Sequence, residues 1–297
     1  STTACSARSA ALVISPVLGS GWFNTPTAVT LTPSCVSQGG TTLVSCLAQV
    51  SVNAGAWGTA ASPYTMLSGN SYQFRAQEVD TGGNTVSVAT PAPAFQLDTA
   101  SPTVPGQPVC TLNPNNSGTH TCTWTASSDA LSGLSGYLVY QSGVFVTLTA
   151  VAAWSSSNLP QGSYTYQIYA TDSAGNTSSP SLASAAVIVD KTAPTPNPPT
   201  LTASGQTQTA ITWTLSTGAD TGGSGLAASA YGFAATSGGP YTFQATPVWS
   251  ETLTCGQSYT RYGVLRDTAG NQTAQGTATS STTACSARSA ALVISPV

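Results

Sequence analysis

Hydrophobic and polar positions alternate every second residue along much of the chain. Tyr164, Tyr166, Ile168 and Ala170 lead into Asp172 in this way, and Val29-Thr-Leu-Thr32 does the same. A period of two puts one set of side chains on each face of a β-strand, so these segments predict half-buried strands. Helical spacing of any length is absent, and the chain reads as all-β. The longest apolar run, Val144 to Trp154, is broken by Thr147 and Thr149. It falls well short of the roughly 18 residues a membrane-spanning helix needs, so no direct membrane span is expected.

Two repeats organise these strands. Residues 1–17 (STTACSARSAALVISPV) recur unchanged at 281–297, a period of 280 residues. The chain therefore reads as one period and the start of the next, an internal piece of a longer tandem array. A shorter repeat lies inside it, marked by Asp80-Thr-Gly-Gly-Asn84, Asp172-Ser-Ala-Gly-Asn176 and Asp267-Thr-Ala-Gly-Asn271. Their aspartates are 92 and 95 residues apart, and 93 residues separate Asp267 from the next period's Asp80. Each period thus divides into three domains. In such a turn Asp bonds its own backbone two residues on, Gly supplies a positive φ and Asn tolerates left-handed geometry, which together make a hairpin. Ser71-Tyr72, Ser163-Tyr164 and Ser258-Tyr259 precede the three turns at a constant distance.

Composition narrows the function. Charged residues make up 5% of the chain and the net charge is -3, while 40% is hydrophobic and Gly 28 and Pro 19 supply turns. Charge this sparse offers no stripe for a phosphate backbone and no patch for anionic lipid, so nucleic acid and membrane surfaces are excluded as partners. It also leaves strand edges without their usual protection. Something must cover that surface, either O-linked glycan on Ser and Thr or lateral packing against other copies of the chain.

The seven cysteines become six per period, because Cys285 is Cys5 of the next one. Cys35 and Cys46 straddle Gly39-Gly40, Cys110 and Cys122 straddle Asn113 to Gly118, and Cys255 and Cys285 lie on either side of the Asp267 turn. Each pair faces across a hairpin, giving one disulfide per domain, with Cys5 pairing with the Cys255 of the preceding period. The pattern contains no Cys-x-x-Cys and a single His, which argues for disulfides and against zinc. Disulfides imply an oxidising compartment.

The residues resemble bacterial immunoglobulin-like and fibronectin type III-like modules of large surface proteins. Residues 99–190 are similar to a fibronectin type III module through Pro102 to Pro108, Thr123-Trp-Thr125, Gly136-Tyr-Leu-Val-Tyr140 and Leu159-Pro-Gln-Gly-Ser-Tyr164. Residues 191–285 repeat that outline more loosely with Pro194 to Pro199, Ile211-Thr-Trp213 and Tyr231. Residues 16–98 resemble a bacterial Ig-like repeat, with Gly21-Trp-Phe-Asn24, Val29 to Thr32 and Gly55-Ala-Trp57. Residues 1–15 end the preceding domain and 286–297 begin the next period. The resemblance implies seven-stranded sandwiches and assigns Tyr72, Tyr164 and Tyr259 to tyrosine corners. Segments 97–102 and 189–194 then read as short, Pro-stiffened linkers.

Candidate chemistry is thin. His120 sits between threonines on an expected strand, as an exposed residue rather than the base of a catalytic triad. Three of the nine acids serve turns and two, Asp98 and Asp190, sit in linkers, leaving no carboxylate pair for glycoside hydrolysis. No nucleotide-binding glycine motif is present. No metal site is expected; calcium at the junctions is the one cofactor to weigh, but each linker aspartate stands mostly alone. Trp22, Trp57, Trp154 and Trp249 suit packing better than a sugar platform, and Trp124 and Trp213 fall on core strands. Asn115, Asn176 and Asn271 fit the N-glycosylation pattern, though two of them also close the turns.

The sequence thus predicts a non-catalytic tandem array of disulfide-stapled β-sandwiches forming an extracellular, cell-surface stalk or filament. Its partners would be neighbouring repeats and copies of itself. The alternatives are a spacer for an adhesin tip encoded elsewhere and a carbohydrate-binding spacer of a secreted polysaccharide-degrading enzyme.

Overall fold

The computed structural model describes residues 9–16, 21–36, 42–89, 94–111 and 113–286. Cys5 and the second copy of β-forming residues at 289–295 lie outside them. The described residues are all-β, with 24 strands, and fall into two compact units.

The first unit comprises the chain up to Pro108 with residues 123–153 and 166–183. One of its sheets joins Ser9–Ser15, Ala28–Val36 and Tyr64–Thr65 in that order. A second runs Gly21–Phe23, Phe95–Leu97, Ser71–Asp80, Leu43–Val52 and Gly58–Thr59, with Thr85–Ala89 added on Ser71–Asp80. The long strand Ser71–Asp80 alternates strictly between buried and half-buried positions, as period-two patterning requires. Its buried Tyr72 and Phe74 meet Val29, Leu31, Val50, Met66 and Leu97 in the core. A third sheet places Leu134–Gln141 between Val144–Thr149 and Tyr166–Asp172. Trp124 and Tyr137 pack edge to face in this unit, 5.5 Å apart.

The second unit comprises residues 109–122, 154–165 and those from Ser184 onward. The segment 99–190 therefore contributes strands to both units. In the second unit Gly162–Tyr164 pairs with Val187–Val189. Leu201–Ser204, Ala210–Leu215 and Val248–Thr252 form one further sheet, and Thr242–Gln244, Leu226–Ala234, Ser258–Asp267 and Gly276–Ser281 form another. Trp213, Ile211, Leu215 and Phe233 fill the core around them.

One polar cluster is set beside that core. Glu251 accepts from Trp213 Nε1 at 2.7 Å and from Arg261 Nε and Nη2 at 2.6 and 2.9 Å. The Arg261 guanidinium lies 5.2 Å from the Tyr259 ring and 5.9 Å from that of Trp249. A buried ion pair contributes little net stability, but removing one partner leaves the other charged and desolvated. Glu251→Ala should therefore cost about 3–5 kcal/mol in urea denaturation. Glu251→Leu combined with Arg261→Met should cost less, and equal losses would show that the pair is not coupled.

Candidate functional site

The three Asp-to-Asn turns are built alike. Asp80 Oδ1 accepts from Gly82 N–H at 2.9 Å and from Asn84 N–H at 3.0 Å. Asp172 and Asp267 accept in the same way from Asn176 and Asn271 N–H, each at 2.8 Å. The glycine before each Asn carries the positive φ: +73° at Gly83, +93° at Gly175 and +96° at Gly270. The asparagines do not adopt left-handed geometry, contrary to the sequence reading. They are present for their side chains. Asn176 Nδ2 donates to Asp172 Oδ2 at 2.7 Å and to the Asp98 carbonyl at 3.0 Å. Asn271 Nδ2 repeats this with Asp267 Oδ2 at 2.7 Å and the Asp190 carbonyl at 2.8 Å. The Asp172 and Asp267 turns are thereby fastened to the segments at Asp98 and Asp190, whereas Asn84 Nδ2 bonds the Asp80 carboxylate with 3.2 and 3.3 Å contacts. Both amide hydrogens are in use, so a glycan on Asn176 or Asn271 would break the clamp.

The linker aspartates do not stand alone, which corrects the sequence reading of the junctions. Asp98, Asp129 and Asp172 bring carboxylate oxygens within 4.8 Å of one another, and Asp190, Asp220 and Asp267 do the same. Asp98 accepts from Ala100 N–H at 2.8 Å and Ser132 N–H at 3.0 Å. Asp190 accepts from Thr192 N–H at 3.0 Å, Ser224 N–H at 2.7 Å and Ser224 Oγ at 2.9 Å. A side-chain carbon at Gly223 would lie 2.0 Å from the Asp190 carboxylate, so only glycine lets the loop approach. Sequence reasoning missed Asp129 and Asp220. Their signal was present: Ser132-Gly-Leu134 follows Asp129 as Ser224-Gly-Leu226 follows Asp220, 92 residues on.

Crowding divides the charge unevenly. Burial pushes the Asp190 carboxyl up, but the donors from Ser224 and Thr192 outweigh it and hold it below the ordinary range. Burial and the neighbouring Asp190 charge push Asp220 up, against one opposing bond from Gly225 N–H. A carboxylic acid beside a carboxylate can share a proton, and three carboxylates also supply the hard oxygen ligands that calcium takes. Calcium takes six to eight oxygens, so each trio would need further carbonyls or waters. The cavity beside Asp220, about 110 Å³ and lined by Gln161, Thr192, Thr195 and Ala219, is far smaller than the roughly 300–1,000 Å³ of a ligand pocket.

Three disulfides are formed: Cys35–Cys46, Cys110–Cys122 and Cys255–Cys285, with Cα separations of 5.7, 4.0 and 5.1 Å. Three tyrosine hydroxyls tie back to backbone upstream. Tyr72 donates to the Leu67 carbonyl at 3.0 Å, Tyr164 to Pro160 at 2.9 Å and Tyr259 to Thr254 at 3.2 Å. The tryptophans are packed: Trp213 and Trp124 are buried and Trp249 lies against the core. Arg75 covers Trp57 at 4.3 Å and Trp154 meets His120.

His120 is fully buried, correcting its expected exposed place. Its Nδ1 lies 2.9 Å from Ser156 Oγ, and that hydroxyl lies 3.2 Å from the Gly118 carbonyl. The hydroxyl's one proton has two acceptors within reach, Nδ1 and the Gly118 carbonyl, and the tautomer of His120 decides between them. Both residues are buried, at 0% and 4% exposure, so the hydroxyl is not presented to a substrate as a nucleophile's would be.

No family profile matches the chain. It is 32% identical to exoglucanase B of Cellulomonas fimi over 73% of this chain and 21% of that one. It is 36% identical to chitinase A1 of Niallia circulans over 48% and 20%. The chain thus spans about a fifth of these relatives. Among solved structures it is similar to the FN1–FN3 domains of chicken CNTN1 (15% identity, 92% and 97% covered, TM-score 0.38). It is also similar to the fibronectin(III)-like modules of Clostridium thermocellum CbhA (15%, 61% and 94%, 0.36). A Ca2+-stabilized, ice-binding adhesin of an Antarctic bacterium is a third (15%, 93% and 74%, 0.41). The antiparallel sheets, strand alternation and tyrosine hydroxyl bonds define the class: immunoglobulin-like and fibronectin type III-like β-sandwich modules in tandem. The three disulfides place them in an oxidising environment.

Burial lowers the His120 pKa, so folding favours its neutral form. That contribution is complete above the unfolded value of 6.5 and is lost as pH falls toward the folded one. Thermal midpoints should therefore drop between about pH 7 and 5, and the drop should be shallower in His120→Gln; parallel curves would refute the assignment. Asp220 has the opposite sign, its contribution being present below 3.8 and lost as pH rises. In chelator at neutral pH, Asp220→Asn should raise the midpoint, and a fall would show that the charge is needed. Stabilisation by calcium that Asp220→Asn abolishes would make the trio a cation site.

Proposed function

We propose that the chain is a structural, non-catalytic repeat region, three modules per 280-residue period at 16–98, 99–190 and 191–285, forming an extracellular stalk or filament. The observation that carries this reading is the unchanged return of residues 1–17 at 281–297. A catalytic domain has no use for an unbroken continuation of its own period, whereas an array is built from it. The clamped linkers support the reading: with Asn176 on Asp98 and Asn271 on Asp190, a junction resists bending. The burial of the Ser156–His120 pair supports the absence of nucleophilic catalysis. Cys5 would complete a staple with the Cys255 of the preceding period, and neighbouring repeats and copies of the chain would be its partners.

A second reading has a specific observation behind it. The curated relatives are an exoglucanase and a chitinase, matched over about a fifth of their length. On that reading the modules space the catalytic and binding parts of a secreted polysaccharide-degrading enzyme.

Electron microscopy of the native material separates them. An array should show an axial repeat of roughly 100 Å, from three compact domains of about 30 to 40 Å each. Short particles with a globular catalytic mass and no such repeat would overturn the array and favour the enzyme spacer.

A further inference from the structure

We propose that the outer edge of strand Val144–Thr149 is a self-association site, pairing antiparallel with the same strand of a second copy of this chain. The inference rests on the structural-array reading and names the lateral partner in it.

The strand is the edge of its sheet, hydrogen-bonded on one side to Leu134–Gln141 and unpaired by any described strand on the other. Its apolar side chains face outward: Val144 is 68% exposed, Phe145 51%, Val146 41% and Leu148 54%, with Val151 just beyond at 63%. Phe145 continues into Tyr140 and Tyr169 across the sheet, with ring centroids 5.7 and 5.0 Å apart. The far edge of the same sheet shows how an edge is closed. There Ser181 and Ser178 donate backbone N–H to the Ile168 and Ala170 carbonyls. Their hydroxyls accept from the Ile168 and Ala170 N–H groups in return. Among the described residues nothing comparable covers 144–149.

Natural edges are blunted by Lys, Pro, inward charge or a bulge. From Ala130 to Thr171 the chain has no Asp, Glu, Lys or Arg, and residues 142–151 contain no Pro. A bulge at Val146, where the register to Val139 and Tyr140 shifts, is the one device present, and it turns an apolar side chain outward. An edge this free of charge imposes no repulsion on an identical edge. An antiparallel edge is complementary to itself about a two-fold axis, so a second copy satisfies its N–H and C=O groups. The exposed fractions of the five side chains amount to roughly 500 Å² per copy, the size of the largest patch on an ordinary monomer. With the flanking turns, this approaches the ~800 Å² per partner of a stable interface.

The test uses the full chain in sedimentation velocity over about 1 µM to 1 mM, with hydrogen exchange at each end of that range. The native chain should dimerise, and the amides of 144–149 should gain protection with concentration. Val144→Lys and Val146→Lys should each raise the dimer dissociation constant at least tenfold. Leu182→Lys, equally exposed at 74% but on the segment that covers the other edge, should leave it unchanged. Thermal melts check that each variant is folded, and Val144→Lys, the more exposed position, stands in if Val146→Lys is not. A native chain that stays monomeric, or lysine variants that associate undiminished, would overturn the proposal. So would a monomer whose 144–149 amides gain protection only on adding cellulose or chitin oligosaccharides, since a sugar would then be the occupant. An axial repeat with undiminished association of the lysine variants would sink the pairing alone. A lost repeat with intact dimerisation would sink the array alone.

Discussion

The asparagines that close the Asp172 and Asp267 turns are the constraint on which the segments at Asp98 and Asp190 depend. An amide with two hydrogens can serve two acceptors, and Asn176 and Asn271 each hold a turn carboxylate with one and a linker carbonyl with the other. The linker peptide is thereby fixed in position, and its own side chain is carried into the loop that bears Ser132 or Ser224. Backbone N–H donors then compensate the burial of Asp98 and Asp190, which sit at 0% exposure. Turn, linker and loop thus form one hydrogen-bonded unit, and proline in the linker adds stiffness to a joint already tied at both sides.

The sequence made visible whatever is written in local spacing. Alternation gave the strands, and the Asp-to-Asn spacing located the turns in which Gly83, Gly175 and Gly270 carry positive φ. Cysteines on either side of a turn signal sit on facing strands, so the pairs Cys35–Cys46 and Cys110–Cys122 could be read from separations of 11 and 12 residues. What escaped depends on contacts between distant segments. Asp129 lies 31 residues from Asp98 and 43 from Asp172, and its local mark is no more than a Ser-Gly-Leu that recurs after Asp220. His120 was misplaced because flanking threonines suggest an exposed strand, whereas its burial depends on Ser156, 36 residues away. Asn176 was read for its backbone tolerance because that is a local property, while its role is set by a carbonyl 78 residues upstream.

The same distinction explains why charge is scarce without the fold being weak. Sandwich cores here rest on aromatic and aliphatic burial around Tyr72, Phe74, Trp213 and Phe233, and on disulfides that close loops across hairpins. Surface ion pairs contribute little to stability in water, so a chain so stabilised can do without them. Eight of the charged residues sit in the Glu251 and Arg261 pair and the two aspartate trios, while the buried Glu78 carboxylate has no hydrogen-bond partner among the described residues.

Solubility has no such substitute. A neutral, threonine- and serine-rich surface resists association where its strand edges are closed, and at Tyr166–Asp172 the fold closes one with its own chain. Ser178 and Ser181 complete that edge by using hydroxyls where a neighbouring strand would supply carbonyls. Against these, an unprotected apolar edge at Val144–Thr149 stands out as a position where closure was left to something outside the chain. In the array we propose, the period would bring the same edge back every 280 residues, and one such strand per period would suffice to set a regular lateral contact. Scarce charge would suit that assembly, since a charged edge recurring at that interval would repel its own copies.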